Sequence, residues 1–206
     1  MYTIRYPHIP KLHTENLLRE RKLVLLVDLD LTLIQTSFGV DQSMELKGIQ
    51  PIVIPETGSM PFLRLRPGAK EFLRNLYSRY EMIVCTQATA PYARAVVQEL
   101  DPFQIIFKGR IISREYFGQS NIKNSALSQI FFDGDQSLIH IIDDNASVWP
   151  DTPALIKVPE YRFFNDNGSV SPAAHALDTY CYLKELEMHL TQIHHDFYNT
   201  RLRDIL

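Results

Sequence analysis

Five short apolar runs punctuate the chain, and helix-like spacing fills the intervals between them. Leu23–Val27 is continuous and ends in acids, the pattern of a strand buried on both faces. Met82–Cys85 is a second such run and Ile105–Phe107 a weaker third. Leu138–Ile142 is a fourth, again ending in two acids, and Leu155–Val158 a fifth. Pro67 stands where a helix would start, a position at which its missing N–H costs nothing. Ala69, Phe72, Leu73, Leu76 and Tyr80 then follow helical spacing. Pro91 opens Tyr92–Leu100 in the same way, and Asn121–Phe132 is a third helical stretch. In the tail, Leu183, Leu186, Leu190, Ile193 and Phe197 make a stripe that reads as a helix packed on its own sheet. The alternation predicts an α/β fold, a mainly parallel sheet flanked by helices. Residues 38–66 interrupt it. Ile52-Val53-Ile54 and Phe62–Arg66, separated by Glu56-Thr57-Gly58-Ser59, read as a β-hairpin inserted after the first strand.

A length of 206 residues points to a single domain over 1–206. Within it, 1–21 reads as an N-terminal extension and 174–206 as a C-terminal helix. A composition of 45% hydrophobic and 22% charged residues excludes a disordered or low-complexity chain. With 21 basic against 24 acidic residues, the net charge of −3 implies no direct nucleic-acid partner and no pull toward an anionic membrane. No apolar run approaches the roughly 20 residues needed to cross a bilayer. The opening residues lack a secretory pattern, and two cysteines make no disulfide framework, so a reducing intracellular compartment is expected.

The chemistry lies where the first apolar run meets Asp28-Leu29-Asp30-Leu31-Thr32. Side chains at i and i+2 of extended backbone share a face, so Asp28 and Asp30 converge at the carboxyl end of a buried strand. That edge is where open α/β sheets bind ligands. Two close carboxylates repel unless a cation or a shared proton relieves them, and oxygen-only ligation favours Mg²⁺. Asp28 and Thr32 as mere turn and cap residues is the bland reading. Against it stands a second acidic pair, Asp143-Asp144, in the same setting after Leu138–Ile142.

Asp-Leu-Asp-Leu-Thr-Leu resembles the first motif of the haloacid-dehalogenase (HAD) superfamily phosphatases. Arg66-Pro67-Gly68, Leu100-Asp101-Pro102, Ile112-Ser113-Arg114-Glu115, Asp143-Asp144 with Val148-Trp149, and Tyr161-Arg162-Phe163-Phe164 follow in order. Together they resemble the catalytic domain of phosphatases that act on the carboxy-terminal domain (CTD) of RNA polymerase II. The resemblance covers roughly residues 22–164 plus the tail. It implies a HAD-like fold and a Mg²⁺-dependent protein serine/threonine phosphatase working through an aspartyl-phosphate. Asp28 would be nucleophile and Asp30 general acid and then base. Thr86 would bond a phosphoryl oxygen, and Lys123 would offset phosphoryl charge. Mg²⁺ would sit on Asp28, Asp144 and the main-chain oxygen of Asp30, with Asp143 orienting Lys123 or a metal-bound water. Thr32 would hold the loop, and Arg66 and Arg114 would bind substrate phosphate or support the site. The implied partner is a phosphorylated protein tail, the polymerase CTD, and the implied location nuclear. Oligomeric state is not implied.

Leu31 departs from a position usually polar in the family. The larger members carry a phosphopeptide-binding domain beyond the closing helix, which these 206 residues do not accommodate. In the smaller members an insertion at 38–66 forms an apolar pocket, for which Ile52, Ile54, Phe62 and Leu65 are candidates. Competing readings are a phosphatase for another phosphoprotein and a weakly catalytic phosphopeptide-binding module. Cysteine-phosphatase chemistry is excluded, because the positions six residues after Cys85 and Cys181 hold Pro91 and Glu187 rather than arginine.

Overall fold

The computed structural model describes residues 11–39, 48–118, 120–130, 136–173 and 181–203. Helix α1 (Thr14–Glu20) leads into β1 (Leu23–Val27), then β2 (Ile34–Ser37), β3 (Ile49–Pro51) and β4 (Phe62–Leu65). Helix α2 (Ala69–Leu76), β5 (Tyr80–Cys85), α3 (Ala90–Leu100), β6 (Ile111–Ile112) and the single turn α4 (Arg114–Phe117) follow. A 3₁₀ turn at Asn124–Ala126 runs into α5 (Leu127–Ile130). The chain then forms β7 (Ile139–Asp143), a 3₁₀ turn at Ala146–Val148, β8 (Leu155–Lys157) and the long α6 (Tyr182–Arg203).

The main sheet is parallel throughout, in the order β6-β5-β1-β7-β8. Every residue of β1 is buried, which is why that strand is a continuous apolar run. Because β5, β1 and β7 are parallel neighbours, Thr86, Asp28 and Asp143 emerge at the same carboxyl edge. Phe72, Leu73 and Leu76 of α2 and Leu183, Leu186 and Leu190 of α6 join the core, so the tail stripe packs inward. The expected HAD-like α/β arrangement with helices flanking a parallel sheet is the one found. Among the described residues no helix is long and apolar enough to cross a membrane.

Four expectations need correction. Ile105–Phe107 is a loop, because the Asp101 carboxylate accepts the amides of Ile105, Ile106 and Phe107 at 2.9–3.0 Å and folds the segment into a turn. The edge strand is Ile111–Ile112 instead. Helix α2 ends at Leu76, and Tyr80 begins β5, where its hydroxyl donates to the Leu190 carbonyl at 2.8 Å. The stretch 121–132 holds only a 3₁₀ turn and one α turn, and 131–132 lie outside the described residues. The inserted hairpin belongs to a three-stranded antiparallel sheet, β2-β4-β3, whose first strand the alternation did not mark. Its paired arm starts earlier, at Ile49, and a bridge between Ile54 and Ser59 closes the tip.

Candidate active site

β1 runs into a tight loop that places both acids of the first pair. The amides of Leu33 and Ile34 donate to the Leu29 carbonyl at 2.9 and 3.0 Å, and Leu31 takes a left-handed conformation with φ of 61°. That conformation costs a non-glycine residue about 1 kcal/mol or more. The loop recovers this through the Leu31 amide on the Ile34 carbonyl and the Tyr161 amide on the Leu31 carbonyl, each at 2.7 Å. Leu31, the position that departs from the resembled motif, is thus a backbone pivot that lines the cleft.

Lys123 is the hub of the buried cluster. Its Nζ donates to Asp28 Oδ1 at 2.7 Å, to Asp143 Oδ2 at 2.6 Å and to the Cys85 carbonyl at 3.1 Å. Burial alone would discharge this ammonium, but Asp28, Cys85 and Asp143 hold its pKa above the usual lysine range. Asp143 also accepts the Trp149 indole N–H at 2.8 Å and the Asn145 amide at 2.8 Å. Its lone pairs are therefore largely spoken for within the protein.

The second acid of that pair meets the first loop. Thr32 Oγ1 donates to Asp144 Oδ1 and accepts the Asp144 amide, both at 3.1 Å. Arg66 secures Thr32 from behind, donating to the carbonyls of Thr32 and Pro159 at 3.0 Å. Its guanidinium stacks on Tyr161 and Tyr182. Arg66 does not line the cleft. Arg114 does line the cleft, tethered by Nε to the Gln87 carbonyl at 2.7 Å.

These side chains meet in a cleft of about 550 Å³ lined by Asp28, Asp30, Thr86, Arg114, Lys123, Asp143 and Asp144. The Thr86 hydroxyl accepts the Ala88 amide at 3.1 Å, leaving its proton directed elsewhere. Of the four apolar candidates, only Ile54 lines the cleft, joined by Phe38. Ile52 and Leu65 pack on the main core and Phe62 on the Tyr161–Phe163–Phe164 cluster.

Tyr92 was not anticipated in the site, whereas Trp149 was marked by the motif after the second acidic pair. Tyr92, in the first turn of α3, donates to Asp30 Oδ1 at 2.5 Å. Trp149 is buried and committed to Asp143.

The electrostatics call for positive charge. Carboxylate oxygens of Asp28, Asp143 and Asp144 lie within 4.8 Å of one another. Burial raises the pKa of Asp28, with Asp143 adding to the rise and Lys123 opposing it. Burial likewise raises Asp30 and Asp144. One lysine does not balance this many acids. An all-oxygen set with surplus negative charge suits a hard divalent cation.

The family described as NLI interacting factor-like phosphatase matches residues 23–195. A phosphatase of the RNA polymerase II C-terminal domain from Caenorhabditis elegans is 34% identical over 195 residues, covering 89% of this chain and 29% of the relative. Its counterpart from Homo sapiens is 39% identical over 157 residues, covering 76% of this chain and 16% of the relative. The solved structure of Fcp1, described as an essential RNA polymerase II CTD phosphatase, superposes with a TM-score of 0.76 at 26% identity. That superposition covers 90% of this chain and 66% of the other. The chain thus spans less than a third of the length of these two curated relatives. It belongs to the NLI interacting factor-like phosphatase family.

Proposed function

We propose that this member of the family is a Mg²⁺-dependent protein serine/threonine phosphatase acting on phosphoserine of the RNA polymerase II CTD, and hence in the nucleus. The observation that carries the reaction is the convergence of Asp28, Asp30, Thr86 and Lys123 on one cleft at the carboxyl edge of the sheet. The substrate rests on what the relatives are named for.

The phosphoryl group enters between Asp28 and the Thr86 hydroxyl, which donates to one of its oxygens. An Asp28 oxygen attacks phosphorus, and the phosphorus–oxygen bond to serine breaks as the new one forms. Asp30, whose carboxyl burial pushes above the usual carboxylate range, gives its proton to the departing serine oxygen. Water then attacks the phospho-aspartate, Asp30 takes back a proton, and phosphate leaves with Asp28 restored. Lys123 balances the added charge and holds Asp28 in place. Asp28, Asp144 and the main-chain oxygen of Asp30 would hold Mg²⁺, which supplies electrostatic stabilisation of the phosphoryl oxygens. Asp143, engaged by Lys123, Trp149 and Asn145, positions rather than ligates.

The test is hydrolysis of a small aryl phosphate, with and without Mg²⁺, by the wild type and Asp28→Asn. Turnover that requires Mg²⁺ and vanishes in the variant is expected. Turnover surviving in Asp28→Asn would remove Asp28 as nucleophile, and a folded but inactive wild type would leave a phosphopeptide-binding module.

A further inference from the structure

A second groove, of about 540 Å³, runs along β4 to the first turns of α2 and shares no lining residue with the catalytic cleft. Among the described residues, Arg64, Arg66, Lys70 and Arg74 line it against a single acid, Glu71. The whole chain has more acids than bases, so four cations on one groove are a local excess. Two of them are fixed. Arg64 stacks 4.8 Å above the Phe163 ring, and Arg66 is held by the Thr32 and Pro159 carbonyls. The other two are available. Lys70 and Arg74 lie four residues apart on α2, which puts them on one face. Both are exposed, and neither makes a hydrogen bond or ion pair with a described residue.

Fixed guanidinium groups beside free cations suit a compact dianion, which accepts several charge-assisted hydrogen bonds at once. The groove does not suit a nucleic acid. Among the described residues no aromatic side chain lines it, so bases find no stacking platform there. Arg66 also ties it to catalysis, since the guanidinium at its edge holds the loop that carries Asp28 and Asp30.

We propose that this groove binds a second phosphoserine of the same protein tail whose first phosphoserine occupies the catalytic cleft. The proposal rests on the phosphatase reading above. It makes a multiply phosphorylated tail the preferred substrate, with the groove supplying affinity and the cleft supplying chemistry.

Fluorescence anisotropy in EDTA tests it without turnover. The wild type and a Lys70→Glu/Arg74→Glu variant are titrated with a singly phosphorylated peptide and with peptides of equal length. In the latter a second phosphoserine is walked away from the first. At the best spacing the wild type should bind the doubly phosphorylated peptide about tenfold tighter. The variant should lose that gain while binding the singly phosphorylated peptide as the wild type does. Its thermal midpoint and its turnover of aryl phosphate should match the wild type. No gain at any spacing, or a gain that persists in the variant, overturns the proposal. So does a single-stranded oligonucleotide that outcompetes every peptide for the wild type alone. Absence of aryl phosphate turnover in the wild type would instead defeat the phosphatase reading, and the anisotropy would still report on the groove.

Discussion

The Tyr92 hydroxyl donates to Asp30 Oδ1 at 2.5 Å, and its oxygen lies 2.9 Å from Thr36 Oγ1. Asp30 thus takes its orientation from α3, through a hydroxyl that the small sheet holds in turn. Removing the hydroxyl frees the carboxylate to rotate while leaving the ring in place. Tyr92→Phe should lower kcat about tenfold, a fraction of what general acid–base catalysis contributes. KM should move less, and the melting temperature little. An unchanged kcat would detach Tyr92 from the reaction.

Lys123 is the sole cation in contact with Asp28 and Asp143 among the described residues. Lys123→Ala leaves two buried carboxylates facing each other and should cost about 3 kcal/mol in denaturant titrations run in EDTA. Mg²⁺ should raise the melting temperature of the wild type, because a ligand of the native state alone stabilises by mass action. Asp144→Asn should blunt that rise. A wild-type melting temperature indifferent to Mg²⁺ would count against the proposed ligands.

Far from the cleft, Glu81 faces Arg110, Lys108 and Lys22 at 2.6, 2.9 and 3.4 Å. Burial pushes its carboxyl up, but Lys108, Arg110 and Lys22 outweigh that and hold it below the usual range. A folded-state pKa below the unfolded one gives stability that is full above the ordinary carboxylate range. That stability is lost as pH falls through the folded value. Glu81→Gln should therefore cost about 1–2 kcal/mol at neutral pH, a figure reduced by the partial exposure of Lys108. The gap should close below about pH 4. A gap that stays constant with pH would mean that packing, not charge, is lost.

Trp149 is the only tryptophan of the chain and lies 5.9 Å from Lys123 Nζ, ring centroid to nitrogen. Trp149→Phe keeps an aromatic ring but removes the donor to Asp143, at a cost of about 2 kcal/mol by circular dichroism. Catalysis should fall further than stability accounts for, because Asp143, which helps hold Lys123, then loses one of its own donors. In the wild type, the single fluorophore should respond to Mg²⁺, and Asp144→Asn should silence that response.

What the sequence disclosed was local. Asp28, Asp30, Asp143 and Asp144 each follow a buried apolar run directly, so their common edge could be read from strand ends. Thr86 and Lys123 depended on the order of family motifs, and the structure brings both into the cleft. Tyr92 escaped because its role depends on how separate elements dock. Spacing marks Tyr92 only as a first-turn residue. The Ile105–Phe107 error has the same origin, since the carboxylate that turns those apolar residues into a loop comes from Asp101 outside the run. Arg66 was ambiguous because a buried arginine bonded to carbonyls and one bonded to phosphate look alike in sequence.

The bond from Lys123 to Asp28 spans 95 positions of chain. Its anchors, β5 and β7, pair with β1 from stretches that are also remote, Leu23 with Tyr80 and Val24 with Ile139. Loops of that size close slowly, and their entropy is lost before the contacts they permit can form. During refolding, secondary structure and even the β1–β5 pairing can therefore precede any catalytic competence. Regain of activity then times the completion of these long closures, and a fragment ending before β7 would retain half a sheet but none of the chemistry.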